Sequence, residues 1–513
     1  MSMFLFLPIP AMEVIGLVGL VSAIFLGLVA VWYVRSSPKP LPIVGNLFDM
    51  PSEYPWLVYD QWFKTYGDII HINVLGQPII ILGSLKRTSD IFDKRSSSYS
   101  DRVRMPMINE LMGWDFSFGF MRYGSRWKQH RRMFNSNFNP AASAEYKPAH
   151  IKEARALLGR LLVDGQGFMH HLRHTFVATI MRAVYDIDVA ESDDLYISTA
   201  EAALAGLAIA GNPGAFLVDL IPFLKYVPTW VPGAGFQKLA AHWKRLTSQL
   251  VEIPFQVVKG RMNEGTARPC ATVRMLENLP EDNYSEYEVV AKNCAAAAYG
   301  GGADTIVSSA QTFFFAMAKY PEVQKRAQAE LDAIVGCDRL PDFDDRPSLP
   351  YVNAIVKETM RWQNVTPLGI SHTCTQDDTY DGYFIPKGSI IIGNTWSIMH
   401  DPKAYPEPDE FKPERFIKDG VLDPTVRDPN VAAFGFGRRI CPGRYFSDNS
   451  LYSIVCSVLS VYDITPASDE KGELKLEMTS GLISYPRPFD VSITPRSDAA
   501  RSFIIEPPNS SGN

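Results

Sequence analysis

Cysteine is scarce in this chain of 513 residues: only Cys270, Cys294, Cys337, Cys374, Cys441 and Cys456, with no close pair among them. So few thiols in so long a chain argue against a disulfide framework and for reduced cysteines facing a reducing compartment. No pair of Cys-x-x-Cys clusters occurs, so a structural zinc site is not expected. A basic excess is missing too. Lys and Arg number 50 against 56 Asp and Glu, a formal charge of −6, and that balance does not invite nucleic acid. There is no internal repeat and no long low-complexity run. Flavin and dinucleotide fingerprints are absent as well. Gly300, Gly301 and Gly302 lie inside a helical pattern rather than after a strand, which makes them a poor phosphate loop. What is present is an ordinary globular composition, 46% hydrophobic and 21% charged. It provides for a sizeable core and excludes a disordered, collagen-like or coiled-coil chain.

One hydrophobic run is long. Val14 to Val34 reads VIGLVGLVSAIFLGLVAVWYV, 21 residues without a charge. As a helix it would span roughly 30 Å, the hydrocarbon thickness of a bilayer. Trp32 and Tyr33 close it with rings that favour the headgroup layer, and Arg35 and Lys39 follow while Glu13 precedes. That asymmetry predicts a signal anchor with the body on the cytosolic side. The run is too long for a cleaved signal peptide, and no small-x-small site closes it. Pro38, Pro40 and Pro42 then predict a stiff, extended hinge. The expected organisation is a short lumenal N-terminus (1–13), a transmembrane anchor (14–34), a Pro-rich hinge (35–54), one catalytic domain (55–498) and a C-terminal tail (499–513).

The body reads as mainly α with a small β portion. DIIHINVLG and QPIIILG alternate as a hairpin. From about 141 to 320 the pattern is helical, and PEVQKRAQAELDAIVG carries Pro at a helix start and Gly at its end. After Asp377 come hairpins, a Pro-rich meander, and a last stretch from GELKLEM to DVSITPRS that reads as strands.

The segment Phe434–Arg444, FGFGRRICPGR, concentrates chemistry around one sulfur. A thiolate that ligates a metal needs a loop folded back toward it, and Gly435, Gly437 and Gly443 permit such a path. The helix-forming run after Pro442 places a helix N-terminus near Cys441, which is expected to lower the thiol pKa. Phe434 can pack over the sulfur, and Arg439 has the charge for an acidic substituent on a bound macrocycle. A lone buried cysteine is ordinarily inert, but the glycines and arginines around this one argue against that.

A second notch interrupts an otherwise apolar helix from Val289 to Tyr320. Three glycines cost about 1 kcal/mol each relative to alanine, so close packing or a local opening is expected there. Asp304 and Thr305 follow at once, and a buried Asp is expensive without a partner. On YVNAIVKETMRW, Glu358 and Arg361 are three apart and share a face. Trp127 and Arg131 are four apart on another helix. His170, His171 and His174 have helical spacing, but no further ligand completes a metal set, so a solvated face is expected.

These residues together resemble the cytochrome P450 superfamily, from the anchor to the terminal strands, with LPIVGNLFDMP and SYPRPF closest to fungal membrane-bound members. The resemblance implies the cytochrome P450 fold behind one transmembrane helix, heme b as cofactor and Cys441 as axial ligand of its iron. GGADT matches the family's acid–alcohol pair. Thr305 would then bond dioxygen and water, and Asp304 would relay protons from solvent. Ile306 stands where a hydroxyl residue often follows. Glu358, Arg361 and Arg415 of PERF resemble the family's structural Glu–Arg–Arg network. Trp127, Arg131, Arg102, His372 and Arg439 would hold the heme acids, although Ser371 replaces the usual Pro before that histidine.

The implied activity is insertion of one oxygen atom into a lipophilic small molecule: a secondary metabolite, a terpenoid or steroid, or an aromatic xenobiotic. The apolar segments near MPMINELMGW, Val365–Ile370 and Leu482–Ile483 resemble substrate-recognition segments. Ala215–Gly233 resembles the region that caps the entry and dips into the membrane, with ordinary core as the alternative. The implied partners are a NADPH–cytochrome P450 reductase and cytochrome b5, docking on Lys128, Arg132, Arg438 and Arg444, and the implied location is the endoplasmic reticulum membrane. An isomerase or dehydratase of the same fold, and a heme carrier without turnover, are the competing readings.

Overall fold

The computed structural model describes residues 37–211, 214–336, 338–467 and 474–505. The expected anchor, 14–34, lies outside the described residues. Among those described, no helix is long and apolar enough to cross a membrane.

Helices dominate, as the composition of the patterns predicts. The principal ones are α1 (Pro55–Tyr66), α2 (Ser125–Phe138), α3 (Lys147–Val163), α4 (Phe168–Tyr185), α5 (Leu195–Ala210), α6 (Gly235–Asn263), α7 (Tyr284–Lys319), α8 (Pro321–Ile334), α9 (Pro350–Trp362), α10 (Arg444–Val461) and α11 (Asp498–Ile505). The last shows that the expected tail begins as helix, with Ala500 buried. At 36 residues and 1.5 Å per residue, α7 runs roughly 54 Å through the molecule. Its residues are apolar nearly all round, so it can be satisfied only by neighbours on every side. It packs against α2, α4, α6, α9 and α10.

The β portion is small and peripheral. Strands β1 (Ile69–Val74), β2 (Gln77–Leu82), β3 (Asp101–Arg102), β4 (His372–Thr373), β5 (Asp378–Tyr380), β6 (Tyr383–Ile385), β7 (Ile390–Gly393), β8 (Ile417–Lys418), β9 (Val421–Leu422), β10 (Tyr462–Pro466) and β11 (Val491–Pro495) form one five-stranded sheet, β1-β2-β7-β4-β3, and three two-stranded ribbons. β1 and β2 make the predicted hairpin, with Val74 opposite Gln77. β7 joins it in parallel, Ile79 opposite Ile390. Two expectations shift. The hinge is not freely extended at its end, since Asn46 donates its N–H to the Asn73 carbonyl at 2.6 Å and pins that stretch to β1. Of GELKLEM, expected as a strand, the described part 474–478 forms only an isolated bridge, Met478 to Pro486. Pro486 and Pro488 remove the donors that a continuous ladder needs.

Gly300, Gly301 and Gly302 do not open α7, which is continuous through them. Close packing is the reason at Gly302: a Cβ there would come within 2.9 Å of Ile180 Cδ1 on α4. At Gly301 a Cβ would meet nothing within 4 Å.

Candidate active site

The loop before α10 folds back as the glycines require. Cys441 donates its N–H to the Phe434 carbonyl at 2.7 Å, closing the turn. Gly437 has φ +55°, and a Cβ there would overlap the backbone carbonyl of Phe92, which cannot rotate away. Gly437→Ala is therefore expected to lose heme binding. The left-handed backbone alone costs about 1–3 kcal/mol for a residue with a Cβ. The heme-to-protein ratio and the melting temperature of the purified variant check this, and wild-type values for both would refute it.

Cys441 is half-buried and opens on a cavity of about 350 Å³. Its walls include Phe118, Phe134, Ala297, Val365, Leu368 and Ile370, and α7 contributes Gly301, Gly302, Thr305 and Ser309. Phe434 lines the same cavity. The expected lowering of the thiol pKa does not prevail in the protein alone. Burial pushes the Cys441 thiol up, against the opposing pull of the Gly443 N–H, Arg131 and Arg444. A coordinated metal would reverse this, because a ligating thiol is deprotonated outright.

Five residues read from sequence as holders of heme acids all line this cavity: Arg102, Trp127, Arg131, His372 and Arg439. Arg439 is 8% exposed and donates to the carbonyls of Ser100, Phe118 and Met121, with its guanidinium 4.5 Å from the centre of the Trp127 indole. Arg102 donates to the Gly119, Ile370 and Ser371 carbonyls. Arg131 of α2 reaches the Ile440 carbonyl at 2.7 Å. His372 meets the Tyr99 carbonyl through Nδ1 at 2.6 Å. Among the described residues no carboxylate makes an ion pair with any of these three arginines. Burial, then the Arg439 charge, lowers the Arg102 pKa well below its usual value. Burial also brings Arg439 down to about 10, and burial followed by the Arg102 charge lowers His372 strongly. Two buried guanidiniums, with the Asp101 charge acting on both, stand beside a histidine kept neutral, and the cluster suits an anion. Heme propionates fit that donor set, and the Cys441 sulfur on the same cavity fits the iron.

Asp304 and Thr305 part company. Thr305 lines the cavity and donates its hydroxyl to the Gly301 carbonyl at 2.7 Å, bonding the preceding turn. Asp304 does not line it. Its Oδ1 accepts from Arg173 of α4 at 2.6 Å, and its Oδ2 accepts from the Tyr485 hydroxyl. Neither partner was legible in the sequence. Arg173 lies among histidines in HLRHT, and nothing near Tyr485 points to a residue 181 positions away. The histidines around Arg173 do not share one solvated face: His174 is buried and bonds the Ala190 carbonyl at 2.9 Å.

Glu358, Arg361 and Arg415 meet away from the cavity. Glu358 and Arg361 are both 0% exposed. Glu358 accepts from Arg361 Nε at 2.7 Å, Arg415 Nε at 3.1 Å and the Lys412 N–H at 2.8 Å. The two arginines spend their remaining donors on the carbonyls of Met399, Pro406, Glu407, Pro408 and Glu410. The meander is thus laced to α9.

One cysteine on an apolar cavity beneath a long helix, with cations placed for an acidic macrocycle, is an arrangement that suits a thiolate-ligated heme. Sequence comparison agrees. The profile described as Cytochrome P450 matches residues 36–493, and the chain belongs to that family. It is 46% identical over 473 residues to Cytochrome P450 monooxygenase COX2 of Coprinopsis cinerea, covering 91% of this chain and 90% of that protein. It is 42% identical to Tryptamine 4-monooxygenase of Psilocybe cyanescens, over 89% of this chain and 91% of that one. Cytochrome P450 monooxygenase claR of Ampulloclitocybe clavipes is also 42% identical, over 91% and 87%. The protein is an oxidoreductase that incorporates oxygen from O2, and its cofactor is heme b.

Proposed function

We propose that this protein is a membrane-anchored monooxygenase of fungal secondary metabolism that hydroxylates a lipophilic small molecule with electrons from a NADPH-dependent reductase. The observation that carries this is the shared cavity: an apolar chamber with Cys441 and Thr305 both on its wall. Bound heme supplies activation of dioxygen after two one-electron reductions. The chain's own residues do the rest. The phenylalanine and aliphatic walls exclude water, which limits loss of activated oxygen to solvent. Thr305 Oγ1, the hydroxyl on the roof, can leave the Gly301 carbonyl and hold a proton where it is consumed. Asp304, one residue back and tied to Arg173, is the group that brings protons from outside.

Substrate and partner surfaces support the same reading. A smaller cavity of about 40 Å³, lined by Met105, Phe120, Gly211 and Leu482 among others, shares Leu368, Gly369 and Ile370 with the main one. The Ala215–Gly233 segment is no ordinary core: Phe223, Tyr226 and Trp230 are 73%, 69% and 81% exposed. Such rings suit a membrane interface, and a substrate arriving from lipid would meet them. Lys128, Arg132 and Arg438 are exposed cations that suit an acidic electron donor. Similarity to Tryptamine 4-monooxygenase adds an indole-ethylamine to the candidate substrates.

Reconstitution with a fungal NADPH-dependent reductase and a panel of terpenoids, steroids and indoles tests the proposal. NADPH consumption should couple to a hydroxylated product. In Thr305→Ala, coupled product should fall on the order of 10²-fold, while the spectrum of the reduced carbon monoxide complex stays unchanged. Equal coupling in the variant would remove Thr305 from the reaction. Product formed without NADPH would favour the isomerase reading.

A further inference from the structure

Asp304 is the acid of the roof helix, yet it is directed away from the chamber. Its side chain is 6% exposed. Arg173 Nη1 binds one carboxylate oxygen and the Tyr485 phenol binds the other. Arg173 in turn pairs with Glu201 of α5 at 3.3 Å, and Arg173 and Glu201 are 27% and 41% exposed. A chain of polar groups therefore runs from the surface, through Arg173, to the buried acid, with the Tyr485 ring against the guanidinium at 5.9 Å. Burial, then the Asp304 charge, raises the Tyr485 phenol far above its usual range, so it keeps its proton and donates.

Both oxygens of Asp304 are thus occupied by donors. A carboxylate held by a donor at each oxygen cannot turn without giving up a charge-assisted hydrogen bond. We propose that Tyr485 is a positioning residue that holds Asp304 turned outward against Arg173, and that release of its hydroxyl frees the carboxylate to carry a proton toward Thr305. The inference rests on the reading of Asp304 as the inward proton donor.

The phenol is not needed to hold its own segment. Ser484 donates its N–H to the Val365 carbonyl, Ser308 of α7 donates its hydroxyl to the Ser484 carbonyl, and Tyr485 is paired with Thr479 through its backbone. Tyr485→Phe removes one hydroxyl and leaves these ties and the ring packing in place. A phenol bonded to a buried carboxylate shifts the outward population by at least about tenfold.

Two measurements on the full-length holoenzyme test this. In protein carrying carboxyl-labelled aspartate, the infrared band lost in Asp304→Asn identifies Asp304. That band is expected to shift in Tyr485→Phe, and an unshifted band would mean that the contact does not exist. With a NADPH-dependent reductase and no added substrate, Tyr485→Phe is expected to consume NADPH several-fold faster, with the solvent isotope effect falling toward one. A shifted band with an unchanged isotope effect would make the tie structural only. A larger isotope effect would place the phenol in the relay itself. Either result overturns the proposal. If Asp304→Asn leaves the isotope effect as in wild type, the reading of Asp304 fails, whatever Tyr485 does.

Discussion

Replacing Cys441 by serine is expected to abolish the shifted absorption band of the reduced, carbon monoxide-bound protein, and turnover with it. The substitution is nearly isosteric and the fold has little reason to notice. Cys441 holds its loop through its backbone N–H to Phe434, which serine keeps. What changes is the donor atom. A thiolate is soft, polarisable and accessible in the presence of a metal, whereas a serine hydroxyl stays protonated at neutral pH and is a poor ligand for iron. Among the described residues no other cysteine can take over. Cys294 and Cys456 are buried within α7 and α10, and burial pushes their thiols well up, to about 12 for Cys456. Neither lines the cavity, and Cys270 and Cys374 do not either. Absorption spectra of dithionite-reduced protein under carbon monoxide decide the matter. A Cys441→Ser protein that kept the band would place the ligand elsewhere and undo the site as described.

Glu358→Ala is expected to yield little soluble, heme-loaded protein. Two guanidiniums, from Arg361 and Arg415, converge on this one carboxylate at zero exposure. Removing it leaves two buried cations with only carbonyl dipoles around them. Breaking a buried ionic cluster in this way typically costs about 3–5 kcal/mol, a large fraction of a stability of about 5–15 kcal/mol. The damage is also local to the heme loop's support. Arg361 and Arg415 fix four meander carbonyls and that of Met399 just before it, and the meander leads on to the loop that ends at Cys441. Glu358→Gln keeps an acceptor and loses the charge, so it should retain more heme than alanine and less than wild type. Soluble yield and heme-to-protein ratio are the measurements. An alanine variant that folds and loads heme normally would show that the meander stands without the cluster.

Some features were readable residue by residue. The glycines of FGFGRRICPGR announced a turn toward Cys441, because a close backbone approach leaves a compositional trace. The largely apolar run of α7, broken only at its glycine notch, announced burial on most sides for the same kind of reason. The Glu358–Arg361 pair was visible through helical spacing. Other features left no local trace. The direction in which Asp304 turns depends on Arg173 and Tyr485, one on α4 and the other in the C-terminal segment. The exposure of Phe223 and Trp230 could not be told from core, since apolar composition is the same in both cases. GELKLEM alternates like a strand, yet a ladder needs successive donors on its neighbour, and Pro486 and Pro488 on either side of Arg487 stop it at one bridge.

The amino-acid sequence by itself determined the chemistry of this protein: a mainly helical body, one cysteine in a glycine-rich loop flanked by arginines, and a hydroxyl and an acid on a buried helix. Those properties live in short stretches of chain, where spacing and residue type are the physics. Only the tertiary structure decided which groups share a wall. It gathered Arg102, Arg131, His372 and Arg439, from four separate stretches, around one cavity. It also set Thr305 facing inward and Asp304 facing outward. Contacts between distant segments are chosen by how whole helices pack, and no local pattern encodes that choice.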